Sequence, residues 1–150
     1  MPGHVTRPIR SIGVLTGGGD VPGLNAAIKA LVYRAETMGI RVMGLRAGWE
    51  GITFLDRSLG QDALIFHEED PNTWKQGYLL PLTRLNTRSI DRLGGTILQS
   101  TRTNPANTKV SELPLHLRTY GEGRKGSDRV DLTREVLTNL EFLVWMVLWP

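Results

Sequence analysis

The stretch from Ile9 to Asn25 constrains this chain most. There a β-branched, apolar run, Ile9 to Thr16, passes directly into Gly17-Gly18-Gly19 and then into a helical pattern. Such a run reads as a buried strand ending at a glycine turn. From Pro22 onward the apolar residues Leu24, Ala27, Ile28, Leu31, Val32, Ala35 and Met38 fall on one helical face. Asp20 suits an N-cap, Pro22 suits the first turn, and Gly39 ends the helix. Ile40 to Leu45 is a second strand of the same character. Two strands bracketing a helix of this length form a right-handed βαβ unit, so the expected architecture is α/β with a mostly parallel sheet covered by helices.

Downstream the signals are weaker. Gly48, Gly51, Asp56, Gly60, Pro71, Asn72, Gly77 and Pro81 read as loop punctuation, with short strands expected near Ala63–Phe66 and Tyr78–Leu82. Helical character returns over Thr87 to Leu93, Thr96-Ile97-Leu98 reads as a short strand, and Tyr120 to Asp128 as an exposed glycine-rich loop. From Asp131, Val136, Leu137, Leu140 and Leu143 trace another helical face, capped by Asp131 or Thr133. No internal repeat or dividing linker is visible. All 150 residues carry a net charge of +3, and the segment Arg84 to Arg102 accounts for it, with Arg84, Arg88, Arg92 and Arg102 against Asp91. A short cationic segment on a nearly balanced chain points to a compact anionic ligand and away from nucleic acid, whose binders show a continuous basic face. Arg84, Arg88 and Arg92 read as solvated helix surface. With no cysteine there is no disulfide or thiolate site, which fits the cytoplasm. No apolar run approaches the ~20 residues that span a bilayer, so no membrane role is expected.

The glycine junction can hold an anion. Glycines let a ligand approach the backbone, and the first N–H groups of a helix lack intrahelical partners and are favoured by the helix dipole. A tight turn without a ligand is the competing reading. The common phosphate loops fail on counting. In Gly-x-Gly-x-x-Gly the sixth position from Gly17 is Pro22, and the third from Gly18 is Asp20. Arg46 also stands where a dinucleotide fold places its ribose-binding acid. In a Walker loop Gly23 would precede Lys-Ser/Thr, but Leu24-Asn25 follow. A nicotinamide-dependent enzyme is therefore the weakest of the functional readings.

A more specific pattern does match. Thr16-Gly17-Gly18-Gly19-Asp20-Val21-Pro22-Gly23-Leu24-Asn25-Ala26-Ala27-Ile28 resembles the N-terminal signature of the 6-phosphofructokinase family. Gly94-Gly95-Thr96-Ile97-Leu98-Gln99-Ser100-Thr101-Arg102-Thr103-Asn104-Pro105 resembles the family's second block. The likeness extends more loosely through Gly48-Trp49-Glu50-Gly51 toward Glu141. It implies a Rossmann-like three-layer domain, incomplete at the C-terminus, with residues 1–150 as a partial N-terminal domain. It implies phosphoryl transfer from ATP or diphosphate to fructose 6-phosphate in glycolysis, with Mg2+ as cofactor and homo-oligomers in the full-length family. Within it, Gly18 would contact the donor phosphates, Arg102 the transferring phosphoryl group, and Thr103 the nucleotide pocket. An arginine fork suits this chemistry, because phosphoryl transfer needs positioning and charge neutralisation above all.

The family pattern is also broken in places. Gln99 replaces a glycine, and Lys29 and Tyr33 replace the arginine pair that serves the effector in bacterial members, so that regulation is not carried over. The family's G-G-D-G/D-S/T metal loop and T-I-D-N-D base segment occur nowhere in these residues. No catalytic residue and no metal ligand is therefore assigned. Asp20, Glu50 and Asp56 occupy no family catalytic position, and His4, His67 and His116 are too scattered for a metal cluster. Where the family continues with a strand after the helix Val136–Glu141, this chain reads Phe142 to Pro150, expected to be a truncated or out-of-frame end, or else a buried strand. The chain is expected to be inactive alone, and a non-catalytic phosphate-binding module is the alternative reading.

Overall fold

The computed structural model describes residues 9–71, 73, 77–122 and 128–148. Strand β1 (Ser11–Gly17) leads through the glycine loop to helix α1 (Leu24–Thr37) and strand β2 (Arg41–Leu45). Helix α2 (Gly48–Thr53), the short helix α3 (Gln61–Leu64) and strand β3 (Leu79–Leu82) follow. After one helical turn at Arg84–Thr87 and a 3-10 turn at Ile90–Arg92 comes the two-residue strand β4 (Ser100–Thr101). A small ribbon of β5 (Thr108–Lys109) and β6 (Arg129–Val130) precedes the C-terminal helix Thr133–Leu148.

The four-stranded sheet has the order β3-β2-β1-β4. β1 is parallel to β2, from Ser11 opposite Arg41 to Leu15 opposite Leu45, and parallel to β4, with Thr16 opposite Ser100 and Gly17 opposite Thr101. Only β3 runs antiparallel, against β2. The pleat divides the core between two faces. Val42 and Leu82 pack with Ile28, Val32 and Ala35 of α1 and with Ile90 and Leu98. Leu45 and Leu79 pack with Ile52, Leu55, Leu64, Val136 and Leu143 on the other face. The expected α/β, mostly parallel, Rossmann-like arrangement is therefore observed. No helix among the described residues is long and apolar enough to cross a membrane.

Several local expectations need correction. The N-cap of α1 is Gly23, at φ 95°, with no side-chain cap, while the Asp20 carboxylate accepts instead from Ser100 Oγ at 3.1 Å. At the other end Gly39 behaves as expected. Its φ of +69° lets Ile40 N–H reach back to Ala35 O at 2.9 Å. Thr96–Leu98 is a turn and not a strand: Thr96 Oγ1 accepts from Leu98 N–H at 3.2 Å, its carbonyl accepts from Gln99 N–H at 3.1 Å, and Gln99 sits at φ 59°. The strand begins two residues later, where it pairs with Thr16 and Gly17.

Ala63–Phe66 is likewise no strand. Helix α3 gives way to a single bridge between Ile65 and Leu79. The helix expected over Thr87–Leu93 starts earlier, because Thr83 and Asn86 form a reciprocal capping box at its head, and it breaks into the 3-10 turn. Helix α2 occupies a stretch read as loop. The C-terminal stretch continues as helix to Leu148 where a strand was one expectation. Its start is bracketed by Asp131, whose Oδ1 accepts from Thr133 N–H at 2.8 Å. The middle of the Tyr120–Asp128 segment, His4, Trp149 and Pro150 lie outside the described residues.

Candidate functional site

The two motif segments, eighty residues apart in sequence, meet at the end of β1. Gly18 N–H donates to Thr101 O at 3.0 Å, so the loop is fastened to β4 at its first turn. Gly18 has φ +89°, and a Cβ placed there would meet nothing within 4 Å. Glycine is thus required by conformation, and the space beside it is open. Next along the loop, a Cβ on Gly19 would lie 3.6 Å from Arg102 Nη2. The Arg102 guanidinium therefore stands over the loop. It is exposed, and no hydrogen bond or ion pair holds it among the described residues.

Buried polar groups lock the segments together. Asn25, 2% exposed, donates Nδ2–H to Leu93 O at 3.2 Å and accepts from Ile97 N–H at 2.9 Å. Thr16 Oγ1 donates to Gln99 O at 2.9 Å. The bonds to Ile97 and Gln99 join the first motif to the second and the bond to Leu93 reaches the residue just before it, so the asparagine and threonine of the first block act as its attachment to the second.

A second wall comes from α2, which the sequence reading missed. Ala47 and Gly48 both adopt left-handed backbone, at φ 58° and 55°, and Thr101 Oγ1 donates to Ala47 O at 2.9 Å. A Cβ on Gly48 would stand 2.7 Å from Thr16 O, and one on Gly51 only 2.0 Å from Arg46 O. These two glycines are close-approach positions that press α2 onto the sheet end. Consequently Trp49 Cδ1 comes within 3.8 Å of the Gly17 Cβ position, and Glu50 Oε2 accepts from Thr103 Oγ1 at 2.9 Å. Gly48-Trp49-Glu50-Gly51 carries only the looser family likeness in sequence, with no site role for Trp49 or Glu50, and the fold sets both beside the motif segments.

Of the expected site residues, Gly18 and Arg102 flank one loop and Thr103 adjoins them on β4's continuation, tied to α2. Arg84, Arg88 and Arg92 are exposed, as expected. Arg84 bonds Thr37 Oγ1 at 2.7 Å and pairs with Glu36 at 3.2 Å. Lys29, at an effector-arginine position of the bacterial pattern, is bound to Asp91 at 2.8 Å. Arg46 is buried, with its guanidinium 3.5 Å from the Phe66 ring centroid and Nη1 donating to Gly77 O at 2.8 Å. Burial lowers its pKa, and burial likewise raises that of the neighbouring Tyr78, with Glu50 adding to the rise. His116 lies 3.6 Å from Asp56, whose pKa is lowered first by the hydrogen bond from Ser58.

Chemically, the open loop and its unpaired guanidinium have the charge and the space that suit an anion, while the adjoining Thr103 hydroxyl is already donated to Glu50. A metal cage is a different matter. Among the described residues no three His, Asp or Glu side chains converge. The two carboxylates touching these segments, Asp20 and Glu50, each accept a hydroxyl already. These residues do not fit the magnesium site that the resemblance implies.

Comparison with known proteins gives one family. A pyrophosphate–fructose 6-phosphate 1-phosphotransferase of Dictyoglomus thermophilum is 42% identical over 94 residues, covering 63% of this chain and 21% of its own length. An ATP-dependent 6-phosphofructokinase 1 of Thermus thermophilus is 30% identical over 118 residues, covering 79% and 30%. One from Clostridium tetani is 33% identical over 104 residues, covering 69% and 26%. The chain thus spans less than a third of the length of these relatives. The profile of the family described as Phosphofructokinase matches residues 11–122, which include the glycine loop, α2 and the Arg102 segment, and the chain belongs to that family.

Proposed function

We propose that these residues form the phosphoryl-donor part of a phosphotransferase of the 6-phosphofructokinase type, which converts fructose 6-phosphate to fructose 1,6-bisphosphate in glycolysis, in the cytoplasm. The observation that carries this reading is the unpaired Arg102 guanidinium standing over Gly19 beside the open space at Gly18. In this account Gly18 lets the donor phosphates approach the backbone, Arg102 neutralises charge on the transferring phosphoryl group, and Thr103 lines the nucleotide side. Relatives named for ATP and for pyrophosphate both support a phosphoryl donor of that class. Magnesium and homo-oligomeric assembly are carried over from the family as part of the proposal, with no residue described here assigned to either.

Binding is the competence we assign to this stretch, and turnover is not. Proton abstraction from the sugar hydroxyl needs a base within hydrogen-bond reach. The family's base segment does not occur in these residues, and neither Asp20 nor Glu50 stands at a family catalytic position. The test is binding and turnover measured together. ATP or diphosphate should bind saturably without conversion of fructose 6-phosphate, and Gly18→Val should weaken binding about a hundredfold, since a side chain there enters the ligand's space and strains a left-handed residue by ~1–2 kcal/mol. Unchanged affinity in Gly18→Val and Arg102→Ala would sink the cradle, and ordinary turnover by the chain would refute the assignment of binding alone.

A further inference from the structure

We propose that the cavity between the segment following α2 and the Pro114–His116 turn binds an organic ammonium ion with an apolar or aromatic body. The cavity measures ≈ 610 Å³, and none of its lining residues belongs to the two motif segments. Phe54, Leu59, Tyr78, Pro114 and Leu115 form its walls, with Asp56 and His116 as polar partners. A concave space of this size, mostly apolar with a few placed polar groups, is the common form of a small-molecule site. Asp56 is held at the wall by its own chain: Leu59 N–H donates to Asp56 O at 3.2 Å, and Leu55 beside it is buried.

The sign of the ligand follows from what each charged group still has to give. Asp56 Oδ1 already accepts from Ser58 N–H at 2.9 Å and from Ser58 Oγ at 2.6 Å. Oδ2 accepts no hydrogen bond among the described residues, and His116 Nδ1 faces it at 3.6 Å, beyond hydrogen-bond length. The Ser58 bond above all holds the Asp56 carboxyl below the ordinary carboxylate range, so the group is ionised at neutral pH. An ionised oxygen with lone pairs to spare, set among aromatic side chains, suits an N–H cation: the carboxylate accepts from it, and the rings favour positive charge. An anion finds no such counterpart. No lysine or arginine among the described residues lines the cavity, and Arg57, next to Asp56 in the chain, is bound to Glu135 and Asn139. This site is therefore opposite in sign to the glycine loop, and it stands apart from the donor-site reading.

Tyramine carries an ammonium on an aromatic body, and 4-hydroxyphenylacetate is close to it in shape with the opposite charge. Titration of the chain with each, read from backbone amide shifts, should give saturable movement of the Phe54, Asp56, Tyr78 and His116 amides with tyramine. The Gly19 and Arg102 amides should stay still. The acid should bind about tenfold more weakly or less, because it meets a charge of its own sign. Asp56→Asn removes that charge at constant size and should weaken tyramine about tenfold. Leu115→Arg sets a cation at the wall on a side chain that is 77% exposed, so the fold tolerates it. It should weaken tyramine about threefold, and it reads the same charge preference if Asp56→Asn loses its cooperative melt. Equal affinity for the two probes, still cavity amides under tyramine, or an affinity that neither variant changes would overturn the proposal.

Discussion

The glycine-loop end of the sheet and the brace under the C-terminal helix are built from the same kinds of bond and used differently. At the loop, buried Asn25 and Thr16 satisfy backbone groups of the second motif, and the charged group, Arg102, is left over. At the brace nothing is left over. Asn139, fully buried, donates to Ile52 O at 2.7 Å and accepts from Arg57 Nη1, which also pairs with Glu135 Oε2 at 2.8 Å, while Tyr120 donates to Glu135 Oε1. A closed network holds elements together, and a network with one cation unspent can bind an anion. The contrast sets a region with a spare cation, where binding is proposed, against one whose polar groups are all used in holding α2 and the C-terminal helix together.

Asn139→Ala should be the most damaging substitution to the fold. It strands Ile52 O in a buried place and takes one acceptor from the exposed Arg57, and an unsatisfied buried group plus a cavity costs about 3 kcal/mol. Denaturant unfolding would measure it, and a loss under 1 kcal/mol would show that the brace is not a closed unit. Arg102→Ala separates the two regions in the opposite sense. Stability should stay within about 0.5 kcal/mol because the side chain is exposed. Affinity for ADP should fall about tenfold to a hundredfold, the worth of one charged hydrogen-bonding group. A variant that lost stability instead would place Arg102 in the scaffold.

The smallest effect is the brace's share of the pH dependence of stability. Burial works to raise the Glu135 pKa, but hydrogen bonds from Tyr120 and Arg57 outweigh it and the net shift is downward from the ordinary 4.5. A depressed carboxylate stabilises the fold above its unfolded pKa. That contribution is lost as pH falls below about 4.3 toward the lower folded value. Glu135→Gln should therefore flatten the acid limb of stability against pH. A limb identical to wild type would remove Glu135 from the account.

The legible parts of the chain were those where local pattern and tertiary role agree. The β1–loop–α1–β2 unit follows from β-branched runs, the helical spacing of Leu24 to Ala35 and the Gly39 stop, and the two motif blocks meet as their likeness to phosphofructokinases implies. Helix α2 was hidden because Gly48 and Gly51 look like loop punctuation, whereas their missing side chains let a helix touch Thr16 O and Arg46 O. Strand β4 was misplaced because Ile97 and Leu98 are apolar but belong to a turn, with Leu98 buried in the core, while polar Ser100 and Thr101 do the pairing. The C-terminal run Phe142 to Leu148 carries apolar residues without gaps, and such a run fits strand and helix equally until packing decides. The Glu50–Thr103 contact was not legible because only the folded chain brings the two within hydrogen-bond reach.

Backbone amide shifts during titration with ADP test the central claim most directly, since they report where the ligand sits. The account predicts movement of the Gly19, Asp20, Arg102 and Thr103 amides, with those of Glu135 and Asn139 still. Silence at the glycine loop, together with movement around Phe54, Tyr78 and His116, which line a separate cavity of ≈ 610 Å³, would contradict it.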